Sequence, residues 1–427
     1  MGQQRLLMLH LLFLWLVVLV VLTTSAYGAH FNGLISKGPL KLGAERFHHV
    51  ARLSGTSPNV FSVGDFGAKG DGRDDSQAFM KAWKKACSTS AATLVVPKNK
   101  NYLLKPLTFS GPCKSSITLN IYGTIKASAS RSDYSKDSGH WLMFQNVQNF
   151  KVEGGGTING NGQIWWKNSC KINKSLPCKH APTALTFYGC NNLVVRNIKI
   201  QDAQQMHLVF QKCVNVQALN LQVTAPEESP NTDGIHVTET RNIQIANSVI
   251  GTGDDCISIV SGSQKVQATN INCGPGHGIS IGSLGAGNSE EQVSDVIIDT
   301  ATLSRTTNGV RIKTWQGGSG SAKNIVFQNI VMNDVKNPII IDQNYCDQDN
   351  PCKEQNSAVQ ISNVLFKNIK GTSASEVAIK LDCSKTRPCQ GIKMQAINLV
   401  GKNGASAKAL CSSIKLTKLG EISPTCS

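Results

Sequence analysis

One short pattern recurs along this chain: Asn192-Leu193 with Asn197, Asn215-Val216 with Asn220, Asn242-Ile243 with Asn247, Asn324-Ile325 with Asn329, and Asn363-Val364 with Asn368. Two imperfect copies, Lys265-Val266 with Asn270 and Asp295-Val296 with Thr300, fill the gap, and the intervals are 23, 27, 23, 30, 29 and 39 residues. Between them lies a second series of short apolar runs: Leu185-Thr186-Phe187, Leu208-Val209-Phe210, Ile235-His236-Val237, Ile257-Ser258-Ile259, Ile279-Ser280-Ile281, Val310-Arg311-Ile312 and Ile339-Ile340-Ile341. Strands this short cannot each bury a core, but they can do so by stacking. The expected fold class is therefore all-β, a parallel β-helix, with equivalent residues of successive coils about 4.8 Å apart along the axis. Its 34 asparagines are poor residues for helix interiors and ordinary strands. At a turn, however, an Asn can hydrogen-bond to the Asn of the coil above and below.

Asp74-Asp75 open the one helical run, in which Ala78, Phe79, Ala82, Trp83 and Ala86 share a face and Lys81, Lys84 and Lys85 come later, as the helix dipole favours. A solenoid needs its open end covered, so this helix is expected to cap the N-terminal end, tied to the first coil by Cys87 and Cys113. Upstream, Arg5, the apolar Leu6 to Leu22 and the small residues around Ala26 and Gly28 read as a secretory signal. A membrane anchor is the competing reading. The boundaries expected are a signal peptide at 1–28, an N-terminal extension at 29–58 and the β-helix at 59–427.

In an exported chain the 14 cysteines are expected to be mostly disulfides. The close pairs Cys170 with Cys178, Cys346 with Cys352, Cys383 with Cys389 and Cys411 with Cys426 would pin loops, and Cys256 with Cys273 would brace neighbouring coils. Cys190 and Cys213 occupy matching positions in adjacent coils, so stacked thiols fit them as readily as a disulfide. Asn173-Lys174-Ser175 is a glycosylation sequon between two cysteines. The net charge of +16 has no Lys/Arg run to concentrate it. Outside the cell, a diffuse positive field suits an acidic polysaccharide better than nucleic acid or a membrane.

Asp233, Asp255 and His277 are spaced by 22 and 22 residues, each two residues before the central apolar residue of its strand, with Asp254 beside Asp255. A β-helix would put them in one row. Two carboxylates 4.8 Å apart at an effective dielectric of 20 repel by about 3.5 kcal/mol, roughly 2.5 pKa units. Turn capping explains a lone Asp in Asn-Thr-Asp-Gly, and calcium would take three carboxylates, but histidine is a poor calcium ligand. A zinc site of Cys256, Cys273 and His277 is weaker than a disulfide. Arg311 and Lys313 share one side of their strand at a spacing of two and look like a clamp for a substrate carboxylate. Gly317-Gly318-Ser319-Gly320 reads as a turn, and Asp347-Gln348-Asp349 with Glu354 as loop decoration.

Asn231-Thr232-Asp233-Gly234, Gly253-Asp254-Asp255-Cys256, Cys273-Gly274-Pro275-Gly276-His277-Gly278 and Arg311-Ile312-Lys313 resemble, in order and spacing, the four signature motifs of the plant-type polygalacturonases of glycoside hydrolase family 28. The similarity runs from about Val60 to the last cysteines and includes Asn344-Tyr345-Cys346. It implies a right-handed β-helix, with 59–427 as the catalytic domain, that hydrolyses α-1,4-linked galacturonic acid in de-esterified pectin. The enzyme would be secreted to the cell wall, endo-acting and monomeric, with no cofactor or metal. Carried over, Asp254 is the general acid, Asp233 and Asp255 activate water, and His277 tunes the acid. Arg311 and Lys313 bind the substrate carboxylate, while Tyr345 and Asn231 contact the sugar. A calcium-dependent pectate lyase and a non-catalytic wall-binding β-helix are the alternatives.

Overall fold

The computed structural model describes residues 59–348 and 352–426; the signal and extension expected at 1–58 lie outside the described residues. Within them the chain winds as a right-handed parallel β-helix. Every pairing between the named strands is parallel, and they fall into an 11-stranded sheet and a bent 19-stranded one. The seven apolar runs stack in a single series: Leu185 pairs with Leu208, then Ile235, Ile257, Ile279, Val310 and Ile339.

Alternation decides what each strand presents. In Ile235–Thr238 and its successors the flanking β-branched residues point into the core and are fully buried. The central residues, His236, Ser258, Ser280 and Arg311, pair with one another along the sheet. Because coils repeat in register, like side chains stack: Phe144, Phe187 and Phe210 lie 5.4 and 5.7 Å apart with nearly parallel rings.

The asparagines mark the corners. Asn192, Asn215 and Asn242 all have φ near +55°, a left-handed conformation that Asn tolerates better than other residues bearing a Cβ. Their amides also form a ladder, Asn242 donating to Asn215 at 2.7 Å, Asn215 to Asn192 at 3.0 Å and Asn192 to Asn149 at 3.0 Å. Lys265 keeps the left-handed turn at φ +55° but has no amide to extend the ladder, which resumes where Asn324 donates to Asp295 and Asn363 to Asn324.

The helix Ser76–Cys87 buries Ala78, Phe79, Ala82, Trp83 and Ala86 against the first strands, where Trp83 packs on Phe109, Phe144 and Phe150. Cys87 is bonded to Cys113, and the other five expected pairs are disulfides too. Cys170 is bonded to Cys178, Cys346 to Cys352 and Cys256 to Cys273. Towards the C-terminal end, Cys383 is bonded to Cys389 where one coil passes to the next, and Cys411 to Cys426, which ties the last residues back to strand Lys408–Ser412. Cys190 and Cys213 are buried free thiols.

Candidate active site

The turns that enter three successive strands carry the acidic row. Backbone bonds hold these turns in register: Gly234 N–H donates to the Asp255 carbonyl at 2.9 Å, Cys256 N–H to Gly278 at 2.7 Å, and His277 N–H to Asp254 at 2.8 Å. Gly276 is at φ +142° and a Cβ there would meet the Asp254 carbonyl at 2.6 Å, so the close approach of the His277 turn requires glycine. The result is an open cleft of about 630 Å³ in which Asn231, Asp233, Asp254, Asp255, His277, Arg311, Lys313 and Tyr345 all take part.

The three carboxylates have different surroundings. Asp254 Oδ1 accepts from the His277 ring at 3.0 Å and from Asp255 N–H at 2.8 Å, and Oδ2 accepts from the Asn231 amide at 3.3 Å. Burial works to raise its pKa, but the His277 hydrogen bond and charge, with Lys313, bring it below the ordinary carboxylate value. The same hydrogen bond raises His277 above the usual imidazole value. Asp233 goes the other way: burial first, then the charge of Asp254, push it up. Asp255 is only 2% exposed; it receives Arg311 Nη2 at 3.0 Å and Ser280 Oγ at 2.7 Å on Oδ1, and Lys313 Nζ at 3.1 Å on Oδ2.

Arg311 and Lys313, expected to clamp a substrate carboxylate, are ion-paired with Asp255. Repulsion along the row does not fall on all three acids alike: the carboxyl with the raised pKa is Asp233, while Asp254 is lowered. Asp347, expected to be loop decoration, lines the cleft and pairs with Lys171 at 3.2 Å. Tyr345 sits with its ring 5.4 Å from Lys313 Nζ and edge-on to Trp315, its hydroxyl pushed up to about 12 by burial.

Sequence reasoning missed a set of supporting groups. Ser258 Oγ donates to Asp233 Oδ2 at 2.7 Å and has its remaining contact with His236 Nδ1 at 2.7 Å. A hydroxyl has one proton, so with Oγ donating to Asp233 the His236 nitrogen must be the donor. One coil on, Ser280 donates to Asp255 and accepts from Arg311 Nε at 3.1 Å. Each of these carboxylates is thus backed by a serine from the next coil that itself accepts from a nitrogen donor. Beneath Asp233, the buried His207 contacts the Asp233 carbonyl through Nδ1 at 3.0 Å and accepts from Ala203 N–H through Nε2. Burial lowers its pKa to about 4. For His236, Ser258, Ser280 and Arg311 the legible signal was a polar residue at the centre of an apolar triplet.

Comparison with known proteins agrees with the motifs. The model for glycosyl hydrolases family 28 matches residues 87–422. The chain belongs to glycosyl hydrolase family 28. It is 64% identical over 375 residues to a polygalacturonase of Malus domestica, covering 87% of this chain and 80% of that protein. A polygalacturonase of Persea americana is 61% identical over 386 residues, covering 90% and 83%. Among solved structures, the endo-xylogalacturonan hydrolase from Aspergillus tubingensis superposes with a TM-score of 0.75 at 22% identity, over 86% of this chain and 98% of that one, which supports the fold. As a family 28 member this chain is an enzyme, and the acidic row lies in its cleft.

Proposed function

We propose that this family 28 enzyme hydrolyses α-1,4-galacturonosyl bonds of de-esterified pectin, within the polymer and with inversion, as a monomer secreted to the cell wall. The observation that carries the reading is the meeting of two cations and three carboxylates in one cleft. Arg311 engages Asp255 and Ser280 through Nη2 and Nε, and Lys313 engages Asp255 through one bond. A guanidinium has five N–H donors and an ammonium three, so donors remain for a substrate carboxylate. Asn231 and Tyr345 border the same space.

Asp254 is the group to protonate the leaving oxygen. At rest it shares a proton with His277: carboxylate and imidazolium form one hydrogen-bonded pair. The charge of an anionic sugar beside Asp254 favours its protonated form, so binding draws the proton toward the bond to be cut. Asp233 and Asp255 hold and deprotonate a water on the other face. Two bases sharing a water suit an inverting displacement, in which acid and base stand about 6.5 to 9.5 Å apart, better than a single dedicated nucleophile. Export is supported by the signal-like 1–28 segment, six disulfides and the exposed Asn173 sequon. No helix of the described residues is long and apolar enough to cross a membrane.

Polygalacturonate digestion tests the reading. A steep viscosity loss at low reducing-end release is expected for cleavage within the chain, and fresh digests read by proton NMR before mutarotation should show β-configured ends first. Initial α ends would overturn inversion. Unsaturated ends whose formation a chelator stops would replace hydrolysis by lyase chemistry.

A further inference from the structure

At the centre of four successive triplets stand His236, Ser258, Ser280 and Arg311, paired in register one coil after another. The two inner residues are buried serines, and each donates to a carboxylate: Ser258 to Asp233 Oδ2 and Ser280 to Asp255 Oδ1, both at 2.7 Å. The two outer residues feed them. His236 Nδ1 lies 2.7 Å from Ser258 Oγ, and Arg311 Nε lies 3.1 Å from Ser280 Oγ. Two hydrogen-bond chains of the same shape thus end on two carboxylates of one cleft.

They differ in whether they can turn round. A serine hydroxyl has one proton to give, so the nitrogen behind it sets the direction of the chain. An arginine side chain has donors only and does not lose its proton in proteins, so the chain through Ser280 always points at Asp255. An imidazole nitrogen donates or accepts according to where its proton sits. With a proton on Nδ1, the chain through Ser258 points at Asp233 and favours the carboxylate. Without it, Ser258 turns to His236, and Asp233 has only its own O–H to offer. Burial and the charge of Asp254 favour that protonated form of Asp233, and His236 opposes them.

The charged groups around His236 are Asp233 from its own turn, at 3.8 Å, and Asp254, Asp255, His277, Arg311 and Lys313 from later coils, with Lys171 and Asp347 bordering the same cleft. The preceding strand, Leu208–Gln211, sets Val209 beside His236 and carries no titratable group.

We propose that His236 is a positioning residue for Asp233: through Ser258 it fixes the direction of the hydrogen-bond chain and so keeps this carboxyl ionised to activate water, a control that Asp255, locked by Arg311, does not need. The assignment rests on the reading of Asp233 as a base given above. Turning the chain round moves one proton from Nδ1 to solvent and one from solvent to Asp233, and rotates the Ser258 hydroxyl; no other bond changes. The His236 side chain is 19% exposed at the cleft, which gives that exchange a route.

The test is the pH dependence of kcat and kcat/KM on polygalacturonate, with the thermal midpoint monitoring folding. His236→Leu removes the donor and is expected to raise the acid limb by about one pH unit and to lower kcat about tenfold, with KM within about twofold. His236→Asn, which puts an amide N–H near the place of Nδ1–H, should bring the limb back to within about 0.3 unit of wild type. In a Ser258→Ala background His236→Leu should shift the limb no further, because the chain is already cut. Ser280→Ala should leave the acid limb in place, since Arg311 and Lys313 still hold Asp255. An undiminished shift without Ser258, an Asn variant as displaced as the Leu variant, or a change in KM alone would overturn the relay while leaving the base reading intact. A Ser280→Ala shift equal to that of His236→Leu would overturn the difference between the two chains. Wild-type activity in Asp233→Asn would overturn the base reading, and the role of His236 with it.

Discussion

At the residue scale, what separates three chemically identical carboxyls is the partner each receives. Asp254→Asn keeps the shape of the side chain but removes the proton to be donated. We expect kcat to fall about 10²- to 10⁴-fold with substrate affinity nearly unchanged, read from kcat and from binding to the inactive variant. Retention of most activity would move the acid elsewhere. Ser258→Ala removes the hydroxyl that donates to Asp233. Hydrogen bonds to charged groups contribute about 1.5 to 3 kcal/mol, so kcat should drop on the order of ten- to a hundredfold while KM stays put. The pH profile follows from the directions of the shifts. Asp233 must lose its proton to act, and its raised pKa puts the acid limb above the ordinary 3.8. The Asp254–His277 pair must keep its proton, and the raised His277 puts the alkaline limb above 6.5. The stability signs agree. His277 contributes fully below its unfolded value and loses that contribution as pH rises through the folded one, whereas Asp254 contributes above 3.8 and loses it as pH falls through its lowered value. A bell-shaped kcat/KM between these limbs is expected, and an optimum above pH 8 would contradict it.

At the scale of the element, the corner asparagines perform two tasks that no other residue combines. Asn242→Ala would place a Cβ-bearing residue without a side-chain amide at φ +58° and delete the 2.7 Å bond to Asn215. A left-handed residue costs about 1 to 2 kcal/mol and a net hydrogen bond about 1. Asn already bears part of the first cost, so a loss of roughly 1 to 3 kcal/mol is expected, measured as a lowered denaturation midpoint with activity retained. Asn242→Gly should lose less, because glycine keeps the conformation and forfeits only the bond. The ladder explains why Lys265 and Asp295 are tolerated as imperfect copies: Lys265 supplies the turn, and Asp295 supplies an acceptor for Asn324.

For the whole molecule, a solenoid of stacked coils turns sequence period into a straight functional surface. Residues 56 positions apart, Asp255 and Arg311, meet within hydrogen-bonding distance because they lie two coils apart on one sheet edge. The net charge of +16 makes the polyanion's approach sensitive to screening. Between 0.01 and 0.15 M salt the Debye length falls from about 30 to about 8 Å. KM for polygalacturonate should rise over that range while kcat changes little, and the rise should be smaller in Arg311→Gln. A KM indifferent to salt would mean that the charge serves solubility alone.

Much of this architecture was written in local periodicity. The triplets fixed which residues stack, since alternation turns the first and third residue of each to the same face, and the Asn spacing fixed the corners, since few residues adopt the left-handed turn without strain. The close cysteine pairs were legible as candidates, since a short loop closes at little entropic cost, and the structure bonds Cys383 to Cys389 and Cys411 to Cys426. The 22-residue intervals brought Asp233, Asp255 and His277 together through the same periodicity. What tertiary structure alone decided is the charge state of that row. Repulsion reckoned from spacing treats the acids as equals, but cations from later coils, Arg311 and Lys313, fold back onto Asp255, and His277 takes Asp254. Asp233 has Ser258 and, at 3.8 Å, His236, but burial and the charge of Asp254 outweigh them and its pKa rises. These partners come from other coils, and the direction in which a side chain reaches across a coil depends on rotamers and burial that no one-dimensional pattern contains.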